Sequence, residues 1–393
     1  MITNIAITNF KSIANLPDLQ LGQINFLIGK NGVGKSNLIS AIELTRRLCK
    51  GERFERAASQ IAPFGIELFT SGGNSSEASI TLGVRSKDSS RYELSYNIGL
   101  SNGEFTITNE KLSVIEKDSK LDVYIRKGDS FTARKHINEP LTDSPLVVKG
   151  DELVLASFNN EIALKVASLI SNFKVLWFDK AADPYVFKPH RQDSLDVSNL
   201  DGLVISLHEN NRGAFDKAVS VIKQIIPEFV PPRINKLSPP ATKTSKSEEE
   251  AKVFDRYFVF WGEKATQELE YTLTGLSDGN FRIIQLVFAL FDSDSSACLI
   301  GEEIENGQHY GRIKTLMEVL KHLSIKLNVQ LLFSTHSLEL LSHVSPDDVI
   351  FTSKNAEGYS SYQKLSAAVD RSMVEEELGH EPTAKELVDL GMI

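Results

Sequence analysis

Residues 23–36 read QINFLIG followed by KNGVGKS, and the fold turns on this stretch. Gln23 to Ile28 form a short apolar run that ends at Gly29, as a buried strand feeding a loop would. The residues Gly29-Lys30-Asn31-Gly32-Val33-Gly34-Lys35-Ser36 match the pattern GxxxxGK[ST]. Glycines at those places let backbone N–H groups turn inward around phosphate oxygens. The next segment, SNLISAIELTRRL, carries apolar residues at helical spacing. The positive end of that helix would therefore face the same anion. Lys35 is then placed to neutralise β- and γ-phosphates, and Ser36 to ligate Mg²⁺. A glycine-rich turn with an incidental lysine would need neither the preceding strand nor the following helix.

Outward from this loop the patterning changes several times. MITNIAITNF, at the start, alternates like a half-buried strand. SITLGV, YELSYNIGL, FTITNEKLSVI and LDVYIRKG are short alternating segments split by turn residues, which predicts an antiparallel meander. Helical periodicity follows in ELVLASFNNEIALKVASLISNF (152–173) and FDKAVSVIKQIIPEF (215–229). LSPPATKTSKSEEEAK (237–252) reads as an exposed loop or arm tip. Beyond it, ACLIG and VQLLFSTHS are apolar strands of α/β type. The expected organisation is discontinuous: an ATPase core from 1–75 and 253–393, an antiparallel β subdomain over 76–149, and a helical insertion over 150–252.

Three further motifs carry chemistry. Leu276-Ser277-Asp278-Gly279-Asn280 precedes the helical run FRIIQLVFALF. Ser277 and Asp278 both suit a helix N-cap, and a helix start binds anions. ACLIGEEIENGQH ends an apolar strand in Glu302-Glu303. Adjacent acids there divide the work: one orients Mg²⁺ through its water shell and the next polarises the attacking water. We read Glu302 as the metal-side acid and Glu303 as the base; the other register, with Glu302 as base, leaves no metal acid. VQLLFSTHS delivers His336 to the C-terminal end of its strand, where open parallel sheets bind ligands.

Phosphate loop, LSDGN, EEIENGQH and STHS occur in the order found in ABC-type ATPases. With the opening ITNFKSI they resemble the RecF/SMC/OLD-like branch of that superfamily, over about 1–50 and 270–345. The resemblance implies an α/β P-loop NTPase head of ABC type with a β subdomain and a mainly helical insertion. It implies ATP and Mg²⁺ as cofactors, with Gly29, Asn31, Gly32, Gly34, Lys35, Ser36 and Asn37 around the nucleotide and Ser36 and Glu302 on the metal. It makes Glu303 and His336 catalytic, brings Lys11 toward the nucleotide, and sets Ser277, Asp278 and Gly279 against the γ-phosphate held by a second copy. Gly301 and Ile304 depart from the usual acidic-strand pattern, and for the Mg²⁺-sensing glutamine only Gln60 offers itself. Fewer than about 60 residues follow His336, with Asp347 and Asp348 but no convincing acidic set for the TOPRIM nuclease of OLD proteins. A standalone ATPase is expected, acting as a homo-oligomer through composite ATP sites and coupled to a separate effector protein, in DNA repair or anti-phage defence.

Bulk properties narrow the alternatives. The 393 residues carry a formal net charge of −9, so the surface as a whole is no nucleic-acid magnet. A nucleic acid partner would need a local patch. The candidates are Arg46, Arg47, Lys50, Arg53 and Arg56, or Arg126, Lys127, Arg134, Lys135 and His136. No apolar run approaches the roughly 18 residues of a membrane span. Cys49 and Cys298 lie far apart without zinc or disulfide spacing, which fits a reducing, cytoplasmic setting. Two other roles compete with ATP turnover: a nucleotide-gated scaffold with little hydrolysis, and a RecF-like DNA clamp.

Overall fold

The computed structural model describes residues 1–62, 66–70, 77–101, 104–116, 119–144, 149–178, 180, 185–186, 199–237, 256–263, 270–292, 298–368, 380 and 382–389. The expected loop at 237–252 lies almost wholly outside them. The chain divides into two compact units. The first comprises Met1–Lys174, Asp294–Glu303 and Lys321–Ile393; the second comprises Val175–Ser293 and Ile304–Leu320.

The first unit contains two sheets. One runs in the order β2 (Ile13–Gln20), β1 (Ile2–Phe10), β4 (Glu77–Arg85), β5 (Arg91–Ser101), β6 (Glu104–Glu116), β7 (Ser119–Lys127), β8 (Ser130–Ala133), β9 (Thr142–Asp143). Its pairings are antiparallel, so the meander of the sequence continues a sheet begun by the first two strands. The turn between β1 and β2 places Lys11 at φ 51°. The second sheet holds, side by side, β14 (Cys298–Glu302), β15 (Gln330–Thr335), β3 (Ile24–Ile28), β16 (Val349–Lys354) and β17 (Ser360–Lys364). β14, β15, β3 and β16 are parallel, and β17 returns antiparallel on β16. All five residues of β3 and all six of β15 are buried, the run of apolar burial expected of central parallel strands. Gln330 locks the base of β15: its side chain accepts from Ile2 N at 2.7 Å and donates to Ile2 O and Gly22 O.

Helix α1 (Lys35–Cys49) follows β3 and packs against β14, burying Leu38, Ile39, Ile42, Leu44 and Leu48. A short helix, α2 (Phe54–Ser59), comes next. The expected long helix over 152–173 is broken. A 3₁₀ turn at Val154–Ala156 stops short, and α3 (Glu161–Ser171) starts afresh under Asn160, whose side chain accepts from Ile162 N and Ala163 N. An N-capping Asn inside the apolar pattern favours a new start over a continuous helix. The 3₁₀ turn is itself held by Glu110 of β6, whose carboxylate accepts from Val154 N at 2.7 Å, Leu155 N at 2.9 Å and Tyr124 Oη at 2.5 Å.

The second unit begins within β10 (Lys174–Leu176) and contains α4 (Leu200–Asn210), α5 (Arg212–Ile225) and α6 (Asp278–Phe291). A small antiparallel sheet accompanies them, ordered β11 (Tyr185–Val186), β13 (Arg256–Glu263), β12 (Phe229–Leu237). Helical periodicity at 215–229 corresponds to α5, and Pro227 follows its end. β12 was hidden in the sequence by Pro231 and Pro232. It tolerates them because it is an edge strand, and its register against β13 shifts between Val230 and Arg233. α6 is buried nearly all round, from Gly279 to Leu290. Trp261 Nε1, on β13, donates to the buried Asp201 carboxylate at 3.0 Å. Among the described residues no helix is long and apolar enough to cross a membrane.

Candidate functional site

Parallel register brings three loop starts to one sheet edge. Glu302 pairs with Ser334, and Thr335 pairs with Ile28. The chain therefore leaves β14 at Glu303, β15 at His336 and β3 at Gly29 along the same C-terminal edge, the ligand edge of an open parallel sheet.

Gly34 caps α1 with φ 113°, no side chain caps the helix start, and no acid occupies its first turn. Asn37 N donates to Gly34 O at 2.9 Å, and a helix start of this kind, with no acid on it, suits an anion. Asn31 and Ser36 are exposed at the loop and on the first turn. Lys35 is nearly buried and its Nζ folds back on the loop, donating to Gly29 O at 2.6 Å and Lys30 O at 3.0 Å, with His336 Nδ1 at 3.3 Å. His336 Nε2 lies 3.0 Å from Glu303 Oε1. Glu303 itself takes φ 51°, and its N–H donates to Ser334 O at 2.8 Å, so the backbone turns sharply as β14 ends. Lys35, His336 and Glu303 thus form one connected row.

Lys11 reaches the same neighbourhood from the β1–β2 turn. Its Nζ donates to Ser40 Oγ at 3.2 Å on α1 and to Ile61 O at 3.0 Å. Burial pulls its pKa below the ordinary lysine value, opposed by the fields of Glu67 and Glu302. Gln60 is exposed at the C-cap of α2. Ser36 on the first turn of α1 and Glu302 at the end of β14 offer a hydroxyl and a carboxylate. Hard oxygen donors of this kind, completed by phosphate and water oxygens, suit Mg²⁺.

Motif reading missed the residues behind the loop. Asn37 Nδ2 donates to Ser12 Oγ at 2.6 Å, Ser360 Oγ donates to Val33 O at 2.6 Å, and Tyr362 Oη donates to Gly34 O at 2.7 Å. A Cβ on Gly34 would overlap the Ser360 and Ser12 hydroxyls, so only glycine allows this approach. Serines and tyrosines are too common to flag from sequence, although Ser12 sits inside the ITNFKSI segment.

In the second unit Ser277 caps α6, accepting from Asn280 N at 3.2 Å. Ser277 and Asp278 are exposed and Gly279 is buried. A Cβ on Gly279 would overlap Gly307 O, and Gln308 Nε2 donates to Gly279 O at 2.6 Å. The turn ENGQ therefore packs directly on the LSDG turn. Lys180 donates to Leu276 O and pairs with Asp278 at 2.5 Å, which holds the Asp278 carboxyl below its usual pKa. Arg312, in α7 (Tyr310–Leu327), donates to Asn280 Oδ1 at 2.9 Å.

Each basic stretch is engaged within the fold in part, while Lys50, Arg53, Arg56, Lys127, Lys135 and His136 are exposed. Arg46 and Arg47 both clamp the buried Glu43, at 2.6 and 2.7 Å. Arg53 faces Asp151 and Glu152. Arg126 is buried and donates to Gly128 O and Glu152 O, and Arg134 donates to Asp122 O and Glu139 O. Four of the arginines, Arg46, Arg47, Arg126 and Arg134, are thereby turned to partners within the chain.

Comparison with known proteins bears on the fold. Two similar solved structures are SMC heads: an SmcHead bound to the C-winged helix domain of ScpA, and a Smc head domain with an extended coiled coil bound to the C-terminal domain of ScpA derived from Pyrococcus furiosus. The first is 13% identical, with a TM-score of 0.57, covering 94% of this chain and 99% of that one. The second is 12% identical, with a TM-score of 0.55, covering 96% and 99%. At such identity the likeness shows the fold, a P-loop ATPase fold of mixed α/β type with an antiparallel sheet. No curated protein matches the chain. Residues 24–342 match the family described as "AAA domain, putative AbiEii toxin, Type IV TA system", and the chain belongs to that AAA-domain family of P-loop ATPases.

Proposed function

We propose that this chain hydrolyses ATP with Mg²⁺, and that two copies complete each other's sites. The observation that carries the reading is the row Lys35–His336–Glu303 at the C-terminal edge of the parallel sheet, with linking distances of 3.3 and 3.0 Å. Lys35 would meet the β- and γ-phosphates, Ser36 and Glu302 would hold the metal, and Glu303 would take the proton of the attacking water. When bound, Mg²⁺ would neutralise charge on the β- and γ-phosphate oxygens. The exposed pair Ser277 and Asp278 at the start of α6 supports a contact with a nucleotide held by another copy.

Nucleotide-driven closure would then be coupled to a separate effector protein. The SMC heads above are bound to domains of ScpA, which makes a dedicated protein partner a natural arrangement for this fold. A role in DNA repair or anti-phage defence follows from the ABC-type resemblance and from the toxin–antitoxin wording of the family description. The engagement of Arg46, Arg47, Arg126 and Arg134 by internal acids and carbonyls leaves fewer cations for a DNA clamp on these stretches.

The test is mass in solution with and without ATP and Mg²⁺, using Glu303→Gln to trap the bound state. An ATP-dependent doubling of mass that Ser277→Arg abolishes is expected. A mass that never responds to ATP would overturn the composite site.

A further inference from the structure

Two of the three hydroxyls behind the phosphate loop, those of Ser12 and Ser360, form a chain with a fixed direction. Val33 O can only accept, so the Ser360 hydroxyl proton goes to it. The Ser12 and Ser360 hydroxyls are 2.5 Å apart, so Ser12 donates to Ser360. Ser12 in turn accepts from Asn37 Nδ2 at 2.6 Å. The chain runs Asn37, Ser12, Ser360, Val33, and such chains polarise in one sense. Beside it, Tyr362 donates to Gly34 O at 2.7 Å. Burial raises the Tyr362 phenol pKa, so it keeps its proton and stays a donor. The donors are rigidly mounted. Ser360 and Tyr362 are 4% and 8% exposed on β17, β17 is paired to β16, β16 is paired to β3, and Ser360 N donates to Ser12 O at 2.8 Å.

What this anchoring does follows from peptide planarity. In a trans peptide the C=O of one residue and the N–H of the next point in opposite directions, and the described peptides contain no cis bond. Holding Val33 O toward Ser360 turns Gly34 N–H the other way. Gly34 O, held by Tyr362 together with Asn37 N at 2.9 Å, does the same for Lys35 N–H. Flipping either peptide would aim a carbonyl oxygen at the phosphate and withdraw a donor. The glycines that let the loop wrap an anion also make such flips cheap, so a clamp is needed on the convex side.

We propose that Ser12, Ser360 and Tyr362 are positioning residues that fix the Gly34 and Lys35 N–H groups toward the nucleotide phosphates. Ser12 and the β16–β17 hairpin lie outside the family-matched segment 24–342, on both sides of it. The chain's own flanks would therefore set the phosphate affinity of a loop that the family shares. The proposal rests on the nucleotide reading of that loop.

Calorimetric titration of the full chain with Mg·ATP tests it, at a temperature well below the melting point of each variant. Ser360→Ala and Tyr362→Phe should each weaken ATP binding roughly tenfold, about 1.4 kcal/mol. Ser12→Ala should weaken it by a smaller factor, and Ser12→Thr, which keeps the hydroxyl, should restore it. A purely structural role would lower the melting temperature and leave affinity unchanged in the folded protein. Unchanged affinity in Tyr362→Phe and Ser12→Ala overturns the proposal. Absence of ATP binding by the unmodified chain overturns the nucleotide reading itself, and the proposal with it.

Discussion

His336 Nε2 lies 3.0 Å from Glu303 Oε1. The other ring nitrogen faces Lys35 Nζ, which has hydrogens to give and nothing to accept with. In the neutral ring Nδ1 is therefore the acceptor, and Nε2 carries the hydrogen toward the carboxylate. This orders the three groups before any ligand arrives. A phosphate that draws Lys35 away from Gly29 O and Lys30 O also removes the partner that sets the imidazole tautomer.

Glu303→Gln should therefore reduce ATP turnover by about 10²–10⁴-fold, the range of a lost general base, while ATP affinity changes by no more than a few fold. Single-turnover hydrolysis alongside equilibrium binding separates the two. Normal turnover in this variant would show that the base is elsewhere.

Glu43 is buried between two guanidiniums. Replacing Arg46 and Arg47 together by Ala leaves its charge uncompensated, and a loss of roughly 3–5 kcal/mol is expected. Adding Glu43→Ala to that pair should recover part of the loss. Urea denaturation of the double and triple variants measures both.

Asp201 gives a pH dependence with a definite sign. Burial raises its pKa from 3.8 to about 6, and the Trp261 hydrogen bond offsets only part of this. The folded form binds the proton more tightly than the unfolded one, so stability falls as pH rises through the window from 3.8 to about 6. Asp201→Asn keeps an acceptor for Trp261 and removes the charge. At pH 7 it should stabilise the protein by on the order of 2–3 kcal/mol, and near pH 4 the advantage should almost vanish. Thermal melts of both forms across that range decide the matter.

Glu110 makes the opposite demonstration. Burial pushes its pKa up, yet its carboxylate satisfies Tyr124 Oη and the N–H groups of Val154 and Leu155. Glu110→Ala strands all three donors, and a destabilisation of about 3 kcal/mol or more is expected. Hydrogen exchange should quicken first at Val154 and Leu155. Protection there equal to that of the unmodified chain would contradict the account.

The fold was legible where spacing and apolar pattern point the same way. GKNGVGKS, the alternating strands of the meander and the apolar runs ACLIG and VQLLFSTHS all lie where the sequence puts them. The break before α3 was not, because Asn160 acts through a cap that apolar periodicity ignores. β12 was not, because two prolines argue against a strand unless its edge position is known. Within the site, glycine, lysine and acid at fixed spacing announce themselves. Ser12, Ser360 and Tyr362 do not, because their role depends on a pairing between chain segments some 350 residues apart, 348 for the two serines. Charge in the basic stretches is visible in sequence, and the acid or carbonyl that engages Arg46, Arg47, Arg126 and Arg134 is not.

The central strand β3 ends at Ile28, and its parallel neighbour β15 ends at Thr335. At about 5–20 residues per second of synthesis, INFLI waits roughly 15–60 s for the strand that will cover its flank. Throughout that interval a stretch that is fully buried in the finished molecule has no lasting partner, and contacts of such sequence separation form slowly. The order of synthesis thus makes the centre of this sheet one of the last places in the molecule to be completed.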